Sequence, residues 1–305
     1  MTTRAAAPSR TDVAAYVAEL AAQPGMTASR LFRIWSYDRA PSEFEGAKNA
    51  INMVAAEKLG WARYRNALPK YRLTPVNGFN VIIPTYTNTE TIVPEVIDYL
   101  GPETEAVVEL GCGPGRNLFE IRDLIEHRFP KLKYIGTDIS DADLGICRQI
   151  AALEPGRAPI SFHKFDHLNP SFDFMAGLKN VVFFTCHTIE QVTYITDKLF
   201  LGMLAAAETF VCIHEEPAGW QLNEEVVAAV EANAFPTAPR IVKPFQPVDD
   251  YAAASVPVGS RWNLNLVPVL RDLEARGKLK IERVEKHCSG MHLYNPTTRI
   301  TWTRA

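Results

Sequence analysis

The rhythm of apolar and polar positions changes near residue 105. Before it, Val13, Tyr16, Val17 and Leu20 recur at helical spacing behind Asp12, which predicts a helix over 11–23, and a second is expected over 41–67 behind Ser42. Pro69, Pro75, Asn77-Gly78 and Pro84 then break the chain repeatedly and leave one short strand candidate at 79–83. Thr89 or Thr91 caps one more helix, which stops at Gly101-Pro102. Beyond residue 105, β-branched runs alternate with helix-length segments, as in parallel βαβ units. Strands are expected at 106–110, 133–139, 160–165, 180–186 and 208–214, and helices at 117–129, 141–153, 223–234 and 266–278. The run NVVFFTC at 180–186 is apolar almost throughout, which suits a strand covered on both faces. A proline-rich stretch, 236–257, reads as a loop over the sheet edge. The ending, 280–288 and 298–303, reads as two strands joined tightly enough to be antiparallel. The expected architecture is an α/β doubly wound sheet over 101–305, mostly parallel with an antiparallel C-terminal strand, behind a helical lid region over 1–100.

Composition narrows the function classes. With 305 residues, 47% hydrophobic and 22% charged, the chain can bury a large core and has none of the bias of disordered or fibrous proteins. A formal charge of -3 offers no overall attraction for a polyanion, so nucleic acid and anionic membranes are not expected partners. The longest apolar run, 199–207, is far short of the roughly 20 residues of a membrane span. Residues 1–10 lead into an amphipathic segment without a signal-peptide core, so a cytoplasmic protein is expected. Five cysteines, odd in number and far apart, suggest free buried thiols in a reducing compartment. No metal is expected, because neither His163, Asp166 and His167 nor His287, Cys288 and His292 have the spacing of a common zinc or iron site.

The informative stretch is Val107-Val108-Glu109-Leu110-Gly111-Cys112-Gly113-Pro114-Gly115-Arg116-Asn117. Glycines 111, 113 and 115, between a strand and a helix, let the backbone turn sharply and let a ligand approach without meeting a Cβ. A dinucleotide turn would need its third glycine where this chain has Arg116. With an acidic residue two places before Gly111, the pattern resembles the first motif of the class I S-adenosylmethionine-dependent methyltransferases, of the small-molecule type and Rossmann-like fold. The resemblance spans roughly residues 105–305. It implies S-adenosyl-L-methionine as cofactor, with Glu109 orienting the ammonium of its methionine moiety and Gly111, Gly113, Gly115 and Asn117 in the turn beneath. A carboxylate suits such a cation better than a pyrophosphate. Asp138, at the end of the second strand, is expected to accept from ribose hydroxyls, and Asp166, after the third, to face the adenine amino group. Asp138 alone would serve NAD equally well.

Reacting groups in such sheets sit beyond the carboxyl ends of the strands. Methyl transfer is a direct displacement that needs alignment and the disposal of one proton. His187, after the fourth strand, is the first candidate for the base, with Glu190 as its catalytic neighbour; a local structural role for His187 stays open. His214 and Glu215, with Glu190, Glu216 and the Asp249-Asp250 pair, would make the cleft mouth acidic. That favours a cationic acceptor such as the amine of an amino-sugar or aminoglycoside-like natural product. O-methylation of a sugar or aromatic hydroxyl is the alternative, and a non-catalytic S-adenosylmethionine-binding protein or an NAD-dependent oxidoreductase stands outside that class. Phe32, Trp35, Tyr37, Trp61 and Tyr64 supply aromatic surface, with Trp35 and Tyr37 as candidate substrate contacts, for a water-excluding lid or, equally, for the core of the appendage or a homodimer contact.

Overall fold

A computed structural model describes residues 10–32, 71–84, 89, 91–236, 242–292 and 294–305. In chain order these carry α1 (Arg10–Ala21), β1 (Tyr71–Val76), β2 (Phe79–Pro84), α2 (Ile92–Asp98), β3 (Ala106–Leu110), α3 (Arg116–Ile125), β4 (Lys133–Asp138), α4 (Asp141–Ala151), β5 (Ile160–Lys164) and β6 (Asn180–Cys186). There follow α5 (Lys198–Ala206), β7 (Thr209–Glu216), α6 (Glu224–Glu231), α7 (Asp250–Ser260), α8 (Leu266–Ala275), β8 (Leu279–His292) and β9 (Asn295–Arg304).

Seven strands form one sheet in the order β5-β4-β3-β6-β7-β9-β8. β3 to β7 are parallel, whereas β9 runs antiparallel to both β7 and β8. This is a doubly wound, Rossmann-like sheet of the expected kind, mostly parallel with a reversed final strand. Successive side chains of each strand feed opposite faces. Val107, Tyr134, Val182 and Ile213 join one apolar cluster with α1 to α4, and Val108, Ile135, Val181, Phe183 and Cys212 join the other with α5 and α8. The sheet is thus covered on both sides, which explains why its strands read as continuous apolar runs.

Of the N-terminal segment, the described residues 10–32 pack against the sheet's own helices. α1 packs on α4, and Val17, Leu20, Leu31 and Phe32 belong to the same cluster as the sheet. Phe32 packs against Phe119 of α3, ring centroids 5.7 Å apart and planes tilted by 45°, so it is core. The helix expected over 41–67, with Trp61 and Tyr64, lies outside the described residues, as do Trp35 and Tyr37.

Residues 71–84 form a hairpin rather than a broken coil with one strand. Asn77 and Gly78, at φ 49° and 81°, make its two-residue turn, the geometry of a type I′ hairpin. Their amides donate to Cys288 O and His287 O, both at 2.9 Å, and dock the hairpin on β8. The proline-rich stretch also contains α7, with Pro257 inside it. Asp249 caps that helix, accepting from Tyr251 N–H (2.8 Å) and Ala252 N–H (3.2 Å), and Ala252, Ala253 and Ala254 bury its inner face. Burial here outweighs the one amide that Pro257 lacks.

Candidate functional site

β3 and α3 meet in a turn tied down by its own backbone. Gly111 N–H and Cys112 N–H both donate to Thr137 O on β4, at 2.8 and 2.7 Å. Gly111, Gly113 and Gly115 have φ of 83°, 50° and 84°, which L side chains rarely adopt. A Cβ on Gly111 would lie 1.8 Å from Thr188 Oγ1, so the turn also needs the missing side chain to let the β6 loop close over it. At Gly113 no described residue lies within 4 Å of such a Cβ.

Glu109 points from the end of β3 toward α3 and is 1% exposed. Asn117 Nδ2 donates to its Oε1 at 2.7 Å, while Oε2 is buried with no hydrogen-bond partner among the described residues. Burial pushes its carboxyl up to about 8, with Asn117 opposing and Asp138 adding to the rise. A buried carboxylate oxygen without a donor is costly, and a cationic ammonium of a ligand is the group that relieves it. The residues therefore fit the methionine end of S-adenosylmethionine.

Asp138, at the end of β4, accepts from Gly113 N–H at 2.9 Å and Ser140 N–H at 2.7 Å, so it shapes the turn. A carboxylate has about four acceptor sites, and among the described residues donors meet two of them. Asp166, after β5, accepts from Leu168 N–H (2.8 Å) and Asn169 Nδ2 (3.1 Å), and these donors hold its carboxyl below the usual range. Beside these acids stand Ile139 and Leu168, 60% and 43% exposed, which sequence reading did not single out. An apolar side chain directly after the strand-end acid Asp138 is the signal that could have found Ile139.

On the other side of the turn, β6 ends in a loop led by His187 at φ 52°, whose N–H donates to Glu215 O at 2.9 Å. The structure brings His187 and Glu190 together: Nδ1 lies 3.0 Å from Glu190 Oε2, and Nε2 lies 2.9 Å from Thr297 Oγ1 on β9. Glu190 also accepts from Gln191 Nε2 (3.0 Å) and Asn295 Nδ2 (3.4 Å). Its oxygens therefore act as acceptors, and Nδ1 carries the imidazole proton. Thr297 and Asn295 were missed because nothing in their local sequence marks them; they arrive from β9, more than 100 residues along the chain.

Three acids of the expected acidic mouth are corrected, together with His214. His214 is 0% exposed: it accepts from Trp302 Nε1 (2.9 Å), faces Thr185 Oγ1 (2.9 Å), and burial pushes its imidazole down to about 3. It is a neutral core histidine on the α5 face, unable to meet a substrate. Glu215 is buried on the opposite face, where Arg299 Nε and Nη2 donate to it at 3.0 and 2.6 Å and Thr91 Oγ1 at 2.9 Å. Glu216 is buried against backbone amides. Asp250 accepts from Lys286 Nζ (2.6 Å) and pairs with His287 Nε2 (2.8 Å) on β8. The acids expected to attract a cation are thus paired inside the protein.

Among the described residues no cluster of His, Cys, Asp or Glu is arranged to hold a metal ion, and no helix is long and apolar enough to cross a membrane. All five cysteines are free. No protein-family model matches the chain. A stretch of 48 residues is 46% identical to trans-aconitate 2-methyltransferase of Variovorax paradoxus (strain S110), covering 16% of this chain and 17% of that protein. The match thus spans about a sixth of that relative. Among solved structures, the chain is similar to the pyocyanin biosynthetic protein PhzM (16% identity, 70% of this chain and 54% of that one, TM-score 0.42). Magnesium protoporphyrin IX methyltransferase from Synechocystis PCC 6803 matches at 12% identity over 86% of this chain and 100% of that one, TM-score 0.42. Geranyl diphosphate C-methyltransferase from Streptomyces coelicolor A3(2) matches at 12% identity over 70% and 78%, TM-score 0.43. The fold assignment here rests on strand order and register.

Proposed function

We propose that the chain is an S-adenosylmethionine-dependent methyltransferase acting on a small polar acceptor. The observation that carries this reading is Glu109: a buried carboxyl group with one oxygen unmet among the described residues, beside a glycine turn that no described residue crowds at Gly113. Bound S-adenosylmethionine supplies a methyl group activated by a sulfonium. Glu109, held by Asn117, receives the ammonium; the two acceptor sites left on Asp138 take ribose hydroxyls; Ile139 and Leu168 offer apolar faces to the base, with Asp166 beside them.

The acceptor is one that gives up a proton, because the loop across the turn holds a base with its direction set. Glu190 keeps the proton of His187 on Nδ1, so the Nε2 lone pair is left to face the hydroxyl of Thr297. An acceptor hydroxyl or amine that takes the place of Thr297 at Nε2 loses its proton there. The internal pairing of Glu215, Glu216 and Asp250 removes the electrostatic argument for an ammonium-bearing amino-sugar. A neutral acceptor is therefore favoured, in line with the polar uncharged neighbours Thr297, Asn295 and Gln191.

Calorimetry with S-adenosylmethionine, S-adenosylhomocysteine and NAD tests the cofactor. Micromolar binding of the first two is expected, and binding of NAD alone would overturn the proposal. A screen of hydroxyl and amine acceptors, read by S-adenosylhomocysteine release, then identifies the acceptor atom. Tight binding without turnover on any acceptor would favour the non-catalytic reading.

A further inference from the structure

Glu216, at the end of β7, lies outside the roles assigned above, yet it is 1% exposed and uses both carboxylate oxygens. Oε1 accepts from Thr188 N–H (3.2 Å) and Ile189 N–H (3.1 Å), and Oε2 accepts from Glu190 N–H (3.1 Å). These are three consecutive amides at the start of the 3₁₀ turn Ile189–Gln191, the segment that carries the His187–Glu190 pair. Thr188, held at its amide, lays its side chain over Gly111. One carboxylate therefore fixes the loop that touches both the cofactor turn and the proposed base.

The carboxylate is itself aimed by a chain of donors from the core. The indole of Trp302 can only donate, so His214 Nε2 must accept (2.9 Å) and His214 Nδ1 must carry the proton. Nδ1 then donates to Thr185 Oγ1 at 2.9 Å, which leaves the Thr185 hydroxyl hydrogen for Glu216, its other side-chain partner. Each link has one direction, from Trp302 to the loop.

We infer that Glu216 is the positioning residue of the methyl-transfer loop, holding His187 in a single tautomer and Thr188 against Gly111. That it serves methyl transfer rests on the function proposed above; that it orders the loop does not.

Glu216→Gln tests this in the full chain. The carboxamide keeps the volume of the side chain but turns an NH₂ toward amides that need an acceptor. Hydrogen exchange at 188–190 is expected to rise at least about tenfold, with β6 and β7 unchanged. The imidazole nitrogen signals of His187, assigned by their loss in His187→Gln, are expected to change from one tautomer, protonated at Nδ1, to an average of two. Unchanged exchange and an unchanged tautomer would overturn the inference. So would faster exchange throughout β6 and β7 with the His187 tautomer intact, since that is plain loss of stability. Titration of the wild-type chain with S-adenosylhomocysteine runs alongside: absence of binding counts against the proposed function, while the exchange and tautomer data still decide the role of Glu216.

Discussion

Glu109 shows how much one side chain can carry. Its acid is pushed up to about 8 by burial, so at pH 7 the empty site holds a protonated carboxyl. A ligand ammonium at Oε2 favours the charged form and drives the proton off. Binding of S-adenosylhomocysteine at pH 7 is therefore expected to release close to one proton, falling toward zero above about pH 9, measured as the dependence of calorimetric enthalpy on buffer ionisation. Proton uptake, or none at pH 7, would remove Glu109 from the ammonium site. This residue was legible in the sequence because its whole context is local: the acid, three glycines and Asn117 fall within nine positions. Glu215 was misread for the opposite reason, since the guanidinium that consumes it sits 84 residues away. An acid at a strand end looks the same whether it meets solvent or a distant arginine.

Elements repeat that contrast. The β3 turn–α3 unit could be read as it stands, but the hairpin of β1 and β2 could not, because Asn77-Gly78 signals a turn without saying that the flanking strands find each other and then dock on β8. Likewise α7 hides behind Pro257, and only the packing of its alanines makes it a helix. Arg299 on β9 is the tie among such elements: it meets Glu95 of α2 at 2.9 Å, Glu215 of β7 at 2.6 Å and Glu285 of β8 at 2.5 Å. Arg299→Met leaves Glu215 buried without its cation, and is expected to cost about 3–5 kcal/mol in urea unfolding. Adding Glu215→Gln should recover a large part of that loss. Equal stability of the single variant and the wild type would show that Arg299 is not what ties α2 to the sheet.

At the scale of the whole molecule, buried titrating groups bracket the stability from both sides. Glu109 is raised to about 8 from an ordinary 4.5, so the unfolded chain releases a proton that the folded one keeps, and stability falls as pH rises through 5 to 8. His214 and His167 are lowered to about 3 and about 4 from 6.5, so their contribution is present above 6.5 and lost as pH falls below it. Thermal melts of the ligand-free chain are expected to peak near about pH 6. Saturating S-adenosylhomocysteine should flatten the alkaline side, where Glu109 becomes paired; a monotonic curve from pH 4 to 9 would contradict this balance. Strand alternation made the sheet itself legible, since each parallel strand is buried on both faces and must read as an apolar run. The sheet order also has a consequence for how the protein is made. β9 follows β8 in the chain yet sits between β7 and β8, and it brings both Thr297 and Arg299. The cofactor strands can pair as soon as they leave the ribosome. The edge of β7 stays open, and His187 and Glu215 wait for Thr297 and Arg299, until β9 has left the ribosome; a ribosome stalled within β9 would hold the glycine turn without the strand that completes the loop beside it.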